Sequence, residues 1–418
     1  MSIGPIIGQG IGWLDTLRKE SRTAFEAQGL PTPKTESWKY TSLKPLDGFA
    51  FARPAPVKGK TGGTDAGLAA LGGAYLVFVD GAFDMKASRA GGSASPLSMA
   101  LRNNADAVHQ YLGHIAAYDD PLTLFNSGFI DDGLVLILDG ETVDAPIVVE
   151  HISSATGDGV ALHPRNLIVL KKNARATVIE RFSGVGRYLI NPVSEIVVED
   201  GAKLTHIRLF EDADTAFNLS HLSARVGKDA GYESHVLATG GALVRNEMRV
   251  ELAAPGADGS LYGAYLARGK QHTDHTTVLR HSAPHTTSRE LYKGALNDTA
   301  RGVFQGNIFV AKGADGTDGN MTNRTILLSD KAEMDAKPQL EIYADDVKCA
   351  HGATIGNLEE DALFYLRARG IPERQARELL VEGFVAEVFD TLGEGAIVDL
   401  LRARIAVWLA TAKVAEAA

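Results

Sequence analysis

A single cysteine, Cys349, stands in 418 residues. No disulfide can therefore form within the chain, and no four-cysteine metal site can be completed by it alone. That scarcity fits a reducing compartment. Long apolar runs are missing too: no stretch reaches the ~18 residues that mark a bilayer-spanning helix. Positive charge is in deficit, with 42 Lys and Arg against 52 Asp and Glu. A net charge of −10 disfavours a general nucleic-acid binder, which needs a basic face to neutralise phosphates, and docking on an anionic membrane. Met1 to Trp13 carries neither a basic segment nor a small-residue cleavage site. The expectation is a cytoplasmic protein without nucleic-acid or membrane partners. Phosphate-binding motifs are incomplete as well. Gly59-Lys60-Thr61 resembles the end of a P-loop, but Pro54 occupies the place of its first glycine. Gly8-Gln9-Gly10-Ile11-Gly12 lacks the dinucleotide spacing and follows no strand pattern. ATP hydrolysis by this chain alone is not expected.

What is present is a composition of 45% apolar and 22% charged residues, enough for a large core, arranged in three zones. Residues 1–140 read as a mixed α/β region. Trp13, Leu17 and Phe25 share one face of a helix, Gly29 with Pro31 and Pro33 ends it, and Thr64 to Ala74 reads as a linker. Tyr75 to Val79 reads as a buried strand ending at the turn Asp80-Gly81, and Pro96 to Leu112 as helical.

In residues 141–355 helical periodicity gives way to short β-branched runs between turns. Asn173-Ala174, Gly201-Ala202, Asp229-Ala230, Gly256-Ala257 and Gly313-Ala314 recur at about 28 residues or twice that, with Pro284-His285 at the skipped beat. A unit this short cannot bury its own apolar face, whereas stacked neighbours share a continuous core. Strands without intervening helices then predict a β-helix; an antiparallel sandwich with evenly spaced turns is the competing architecture. Residues 356–418 read as helices. Asn357 with Glu360 forms a capping pattern, and Gly370 and Pro372 separate the first helix from the second. Ala376, Leu379, Leu380, Phe384, Val385 and Val388 line the second, and a third covers about 396 to 412. Such helices are expected to cap the open end of the solenoid or offer a docking surface.

Two groups of residues carry possible chemistry. Cys349 and His351 flank Ala350, so on a strand they share a face. Thiolate and imidazole both ligate iron, yet two ligands are too few without a partner. The other reading is a free cysteine beside a hydrogen-bonded histidine. His272, Asp274, His275, His281 and His285 suggest a metal site, but His272 and His275 fall on opposite strand faces, which favours histidines stacked along a rung. Asp345-Asp346 reads as a solvated turn for the same reason of alternation.

The run Lys337 to Gly370, KPQLEIYADDVKCAHGATIGNLEEDALFYLRARG, closely resembles the C-terminal signature of the SufB/SufD family. Glu36-Ser37-Trp38-Lys39-Tyr40-Thr41 looks like its E-x-W-K-Y-T element. Gln271 to Asp274, His281 to Gly294, Arg301 and Phe304-Gln305-Gly306 look like its central block. Met321 to Leu328 departs from the expected asparagine and three leucines. The Trp-Lys-Tyr element and the cysteine before His-Gly-Ala-Thr point away from SufB itself and toward its partner branch.

The resemblance implies a mainly β fold, a right-handed parallel β-helix with a mixed N-terminal region and a C-terminal helical domain. It implies a non-catalytic scaffold subunit for iron–sulfur cluster assembly, not an enzyme. The partners implied are SufB, through the β-helix edge, and the ATPase SufC, on the C-terminal helices, with a homodimer as an option for the isolated chain. SufC dimerisation on ATP binding would shift the interface with SufB. By motif position Cys349 and His351 match the family's interface cysteine and functional histidine, ligands of a transient iron–sulfur cluster shared with SufB, with no permanent cofactor. Two rivals remain at this stage. A β-solenoid carbohydrate-active enzyme would need two carboxylates about 5–10 Å apart on adjacent rungs, and no such pair stands out. A stand-alone histidine metalloenzyme would use His272 to His285.

Overall fold

Asn173, Gly201, Asp229, Gly256 and His285 all adopt the left-handed backbone conformation, with φ between 53° and 74°. Glycine, asparagine and aspartate tolerate that region best, which is why these residue types punctuate the sequence. After each turn the next residue enters the interior: Ala174, Ala202, Ala230, Ala257 and Thr286 are all buried. Backbone bonds link the turns in a column, with Lys203 N–H donating to Ala174, Gly231 to Ala202, Asp258 to Ala230 and Thr287 to Ala257. The side chains of Asn173 and Asp229 lie over Gly201 and Gly256 in the following rungs, where a Cβ would collide with them. Glycine is thus required there twice, by backbone angle and by its neighbour.

The computed structural model describes residues 7–54, 63–89, 91–116, 118–154 and 159–412. Its centre is a parallel β-solenoid of about eight turns. Each rung gives one strand to each of two facing sheets, of ten and eleven strands among the described residues. One sheet runs from Tyr75–Val79 through Ile147–Ser153 and Lys203–Glu211 to Val347–Gly356; the other runs from Leu134–Leu138 through Arg165–Leu170 to Glu333–Ile342. The turn Asp80-Gly81 has two left-handed residues and returns the chain to pair antiparallel. Side chains alternate: on Lys203–Glu211, Leu204 and Phe210 enter the interior, while Ile207 and Leu209 face outward. Inside, His151, Phe182 and Phe210 form a stack with ring centroids 5.2 and 5.4 Å apart.

The turn at Gly313-Ala314 differs from the expected beat. Gly313 is left-handed, but the residues that continue the column are Gly316 and Thr317, because Asp318 N–H donates to Thr286. The last rung carries a short insertion that shifts the register away from the repeat.

Helices flank the solenoid. α1 (Gly12–Gln28), α2 (Ala66–Ala69), α3 (Leu97–His109) and α4 (Pro121–Phe129) precede most of it; α5 (Glu360–Ala368), α6 (Glu373–Ala386) and α7 (Ala396–Thr411) follow. The linker pattern of Thr64 to Ala74 contains α2, capped by Asp65 accepting from Leu68 N–H. In α1 the buried line is Leu14, Arg18 and Ser21, with Trp13, Leu17 and Phe25 beside it only partly covered.

The C-terminal helices do not cap the open end. Val381, Val385, Leu401, Ile405 and Trp408 pack along the outer side of the first sheet, against Ile207, Leu209, Leu237, Ala264, Leu266 and Ala295. That outer face is apolar and would otherwise be in water, so the helices cover it rather than the end strands. Asn357 does not cap α5; the N-cap position belongs to Glu359, without a side-chain bond. Gly370 is left-handed after α5 as expected, whereas Leu379 of α6 is 45% exposed.

Candidate functional site

The solenoid ends on two unpartnered edges. Val347–Gly356 pairs with Thr317–Leu327, Glu333–Ile342 pairs with Arg301–Val310, and neither has a second neighbour in its sheet among the described residues. Free N–H and C=O groups on an edge invite another strand, and proteins usually cover or charge such edges. Here Tyr343, just past Glu333–Ile342, is 60% exposed, and Ile342 and Ile355 are exposed as well.

Cys349 and His351 lie on this last strand. They stand opposite Gly319 and Met321, and Met321 is buried in the interior, so both side chains belong to the inward face at its open end. Their Cα atoms are about 6.6 Å apart along an extended chain. Cys349 is half-buried and packs against the interior apolar cluster, while His351 is exposed. Burial pushes the Cys349 thiol up from its ordinary value; the Gly319 backbone bond opposes this and the charge of Asp318 adds to it. The thiol therefore stays protonated at neutral pH until a cation displaces its proton. One sulfur and one imidazole on a shared face make half of a four-ligand site, which a second chain on the same edge could complete. Asp345 and Asp346 form an exposed bend just before the strand.

The four central histidines do not converge. His272 faces outward, and its Nε2 is 3.0 Å from Thr41 Oγ1. His275 faces inward between Tyr265 and Tyr292, each ring 5.2 Å away. His281 is held at 2.8 Å by Thr286 and at 2.9 Å by Ser288. His285 occupies an exposed turn. Burial holds His272, His275 and His281 down to about 4, so all three are neutral imidazoles near pH 7.

The Gln271 to Asp274 block instead fastens the N-terminal Trp-Lys-Tyr-Thr element to the solenoid. Thr41 donates to Asp274, Arg245 pairs with Asp274 and Glu247, and the Arg245 guanidinium lies 4.1 Å from the ring centroid of buried Trp38. Gln305 adds a 3.1 Å bond to the Ser37 carbonyl, and Lys337 reaches Glu36. Segments far apart in sequence thus form one clasp, which no local spacing announces. Gly59-Lys60-Thr61 lies outside the described residues. Gly8 to Gly10 form a turn leading into α1, which begins at Gly12.

Further exposed apolar side chains lie on the C-terminal helices: Phe364 and Tyr365 of α5 are 73% and 57% exposed, and Leu379 of α6 is exposed as well. No helix among the described residues is long and apolar enough to cross a membrane.

Residues 151–384 match the family model described as SUF system FeS cluster assembly, SufBD core domain. The chain is 34% identical over 384 residues to the iron-sulfur cluster assembly protein SufD of Escherichia coli, covering 90% of this chain and 89% of that one. An iron-sulfur cluster assembly SufBD family protein of Synechocystis is 28% identical over 391 residues, 89% of this chain and 86% of the relative. The chloroplastic protein ABCI7 of Arabidopsis thaliana is 31% identical over 304 residues, 71% of this chain and 64% of the relative.

Proposed function

This chain belongs to the SufBD family of iron–sulfur cluster assembly proteins, and from that premise we propose that it is a non-catalytic scaffold subunit that builds a transient cluster jointly with SufB. The observation that carries the proposal is the uncovered edge of Val347–Gly356, which presents Cys349 and His351 on one face beside exposed Ile342, Tyr343 and Ile355. An incoming strand from SufB would satisfy the free backbone groups, bury these apolar side chains and bring the missing ligands. The cluster is cargo of the shared interface rather than a resident cofactor. The isolated chain would use the same surface to pair with a second copy.

In this reading residues 1–140 brace the solenoid, residues 141–355 carry the SufB surface, and residues 356–418 bind the ATPase SufC through the exposed side of α5 and α6. Phe364, Tyr365 and Leu379 are the apolar anchors for that contact. Cytoplasmic placement accords with the single free cysteine. Nothing in the family membership supports the carbohydrate-active alternative.

Co-purification tests the two surfaces separately. Charge placed on the edge by Tyr343→Lys with Ile355→Lys should abolish recovery of SufB and leave SufC bound; Phe364→Lys should do the reverse. Unchanged recovery of SufB with the edge variant would refute pairing through these strands.

A further inference from the structure

Well away from the open end, three potential metal ligands converge where α4 crosses the outer side of the second sheet. Asp120 caps α4, its Oδ1 accepting the N–H groups of Leu122 at 2.9 Å and Thr123 at 3.0 Å. His221 on Phe217–Val226 stands directly opposite Glu247 on Leu243–Leu252. One ligand atom from each of the three lies within 4.8 Å of the others, and all three residues are buried.

The separations inside this group are the informative feature. His221 Nδ1 is 4.0 Å from Asp120 Oδ1 and 3.9 Å from Glu247 Oε1. Both are too long for hydrogen bonds, and each exceeds by about 0.3–0.7 Å the roughly 3.3–3.6 Å between two ligands of a tetrahedral cation bound at about 2.0–2.2 Å, so a small closing of the side chains would bring all three onto one ion. On the other side of the ring, Nε2 lies 3.3 Å from Ser223 Oγ. A proton donated there leaves the Nδ1 lone pair facing the two carboxylates.

Charge balance points the same way. Arg245 is shared between Glu247 and Asp274, and Arg249 between Glu247 and Asp119 at 3.6 Å. Asp120, Glu247 and Asp274, all buried, thus face two guanidiniums, which leaves one buried negative charge beside a neutral imidazole, while Asp119 is exposed. Buried carboxylates in surplus are costly unless a cation accompanies them.

We propose that Asp120, His221 and Glu247 bind one divalent first-row transition-metal ion. An imidazole with two carboxylates suits zinc or ferrous iron better than magnesium or calcium, which take oxygen ligands alone. Three protein ligands leave a fourth position for water. The ion joins the start of α4 to two adjacent rungs and so clamps the N-terminal region onto the solenoid. It is independent of the proposed cluster site, because Cys349 and His351 lie on the other sheet.

The test uses the full-length, metal-free chain carrying Cys349→Ser and His351→Ala, so that the edge ligands cannot contribute. Titration with Co²⁺ should give one equivalent bound, with visible d–d absorption that Zn²⁺ abolishes. His221→Gln should eliminate that absorption, and Asp120→Asn, which keeps the helix cap, should weaken binding about tenfold or more. Circular dichroism checks folding; if His221→Gln unfolds, the Asp120→Asn titration decides. Absence of stoichiometric Co²⁺ uptake, or uptake unchanged in the folded variants, overturns the site.

Discussion

The buried ammonium of Lys293, 1% exposed, is neutralised by the carboxylate of Glu387, which reaches it from the segment following α6. Lys293 lies on the outer face of Thr287–Leu296, and Phe384 of α6 covers it with its ring centroid 4.5 Å from Nζ. This contact joins the apolar seam, the Arg404 pairs with Asp65 and Glu211, and the Thr391 bond to Glu233 in holding the C-terminal helices along the solenoid.

Glu387→Ala should destabilise the chain by about 1–3 kcal/mol, because it leaves a buried ammonium without its anion. The Glu387 side chain is 51% exposed, which keeps the loss below that of a fully buried pair. Adding Lys293→Met should recover most of the loss, since an apolar replacement removes the orphaned charge. Urea unfolding of the single and double variants measures both; no recovery in the double variant would contradict the assignment.

At the other end of the chain, Glu195 joins the N-terminal region to the sheet. Its carboxylate accepts N–H groups of Gly113, Ile115 and Ala116 and pairs with Arg165 at 2.5 Å, with both side chains fully buried. Burial alone would raise the Glu195 carboxyl, but Arg165 and the backbone donors outweigh it and hold it below the usual range. Glu195→Ala should cost about 3–5 kcal/mol, and residues 113–116 should lose their protection against hydrogen exchange. Retained protection there would refute the anchoring role.

Glu290 predicts a pH dependence of opposite sense to an ordinary ion-paired carboxylate. It faces the solenoid interior with a 2.6 Å bond from Thr277, and burial pushes it up from 4.5 to about 8. Between those values the native state keeps a proton that the unfolded state has released, so stability falls as pH rises through the window, by at most about 1.4 kcal/mol per unit. Glu290→Gln should remove this component. Denaturant unfolding across the window should show the variant gaining on the parent chain as pH rises; parallel profiles would contradict it. The buried histidines contribute equally to both proteins and cancel.

The rungs were legible in the sequence because their turns demand a special backbone: Asn173, Gly201, Asp229 and Gly256 mark positions that most residues avoid. The same signal misled at Gly313, where an insertion places a left-handed turn just ahead of the stacked one at Gly316. The side-on packing of the C-terminal helices was not legible. Ile207 and Leu209 face outward beside inward Leu204 and Phe210, and a strand apolar on both faces does not say which side a helix will cover. Cys349 and His351 were readable as one pair because strand alternation is local. Asp120, His221 and Glu247 come from three distant segments and share no motif, so only the fold brings them together.

The central claim is that this chain lends a ligand to a cluster completed by SufB. Anaerobic cluster formation on the complex of SufB, SufC and this chain carrying His351→Ala tests it most directly. The account predicts a complex of normal composition whose iron–sulfur absorption is lost or strongly reduced. A variant complex that builds the cluster as well as the parent would contradict the shared-ligand role and place the chemistry in SufB alone.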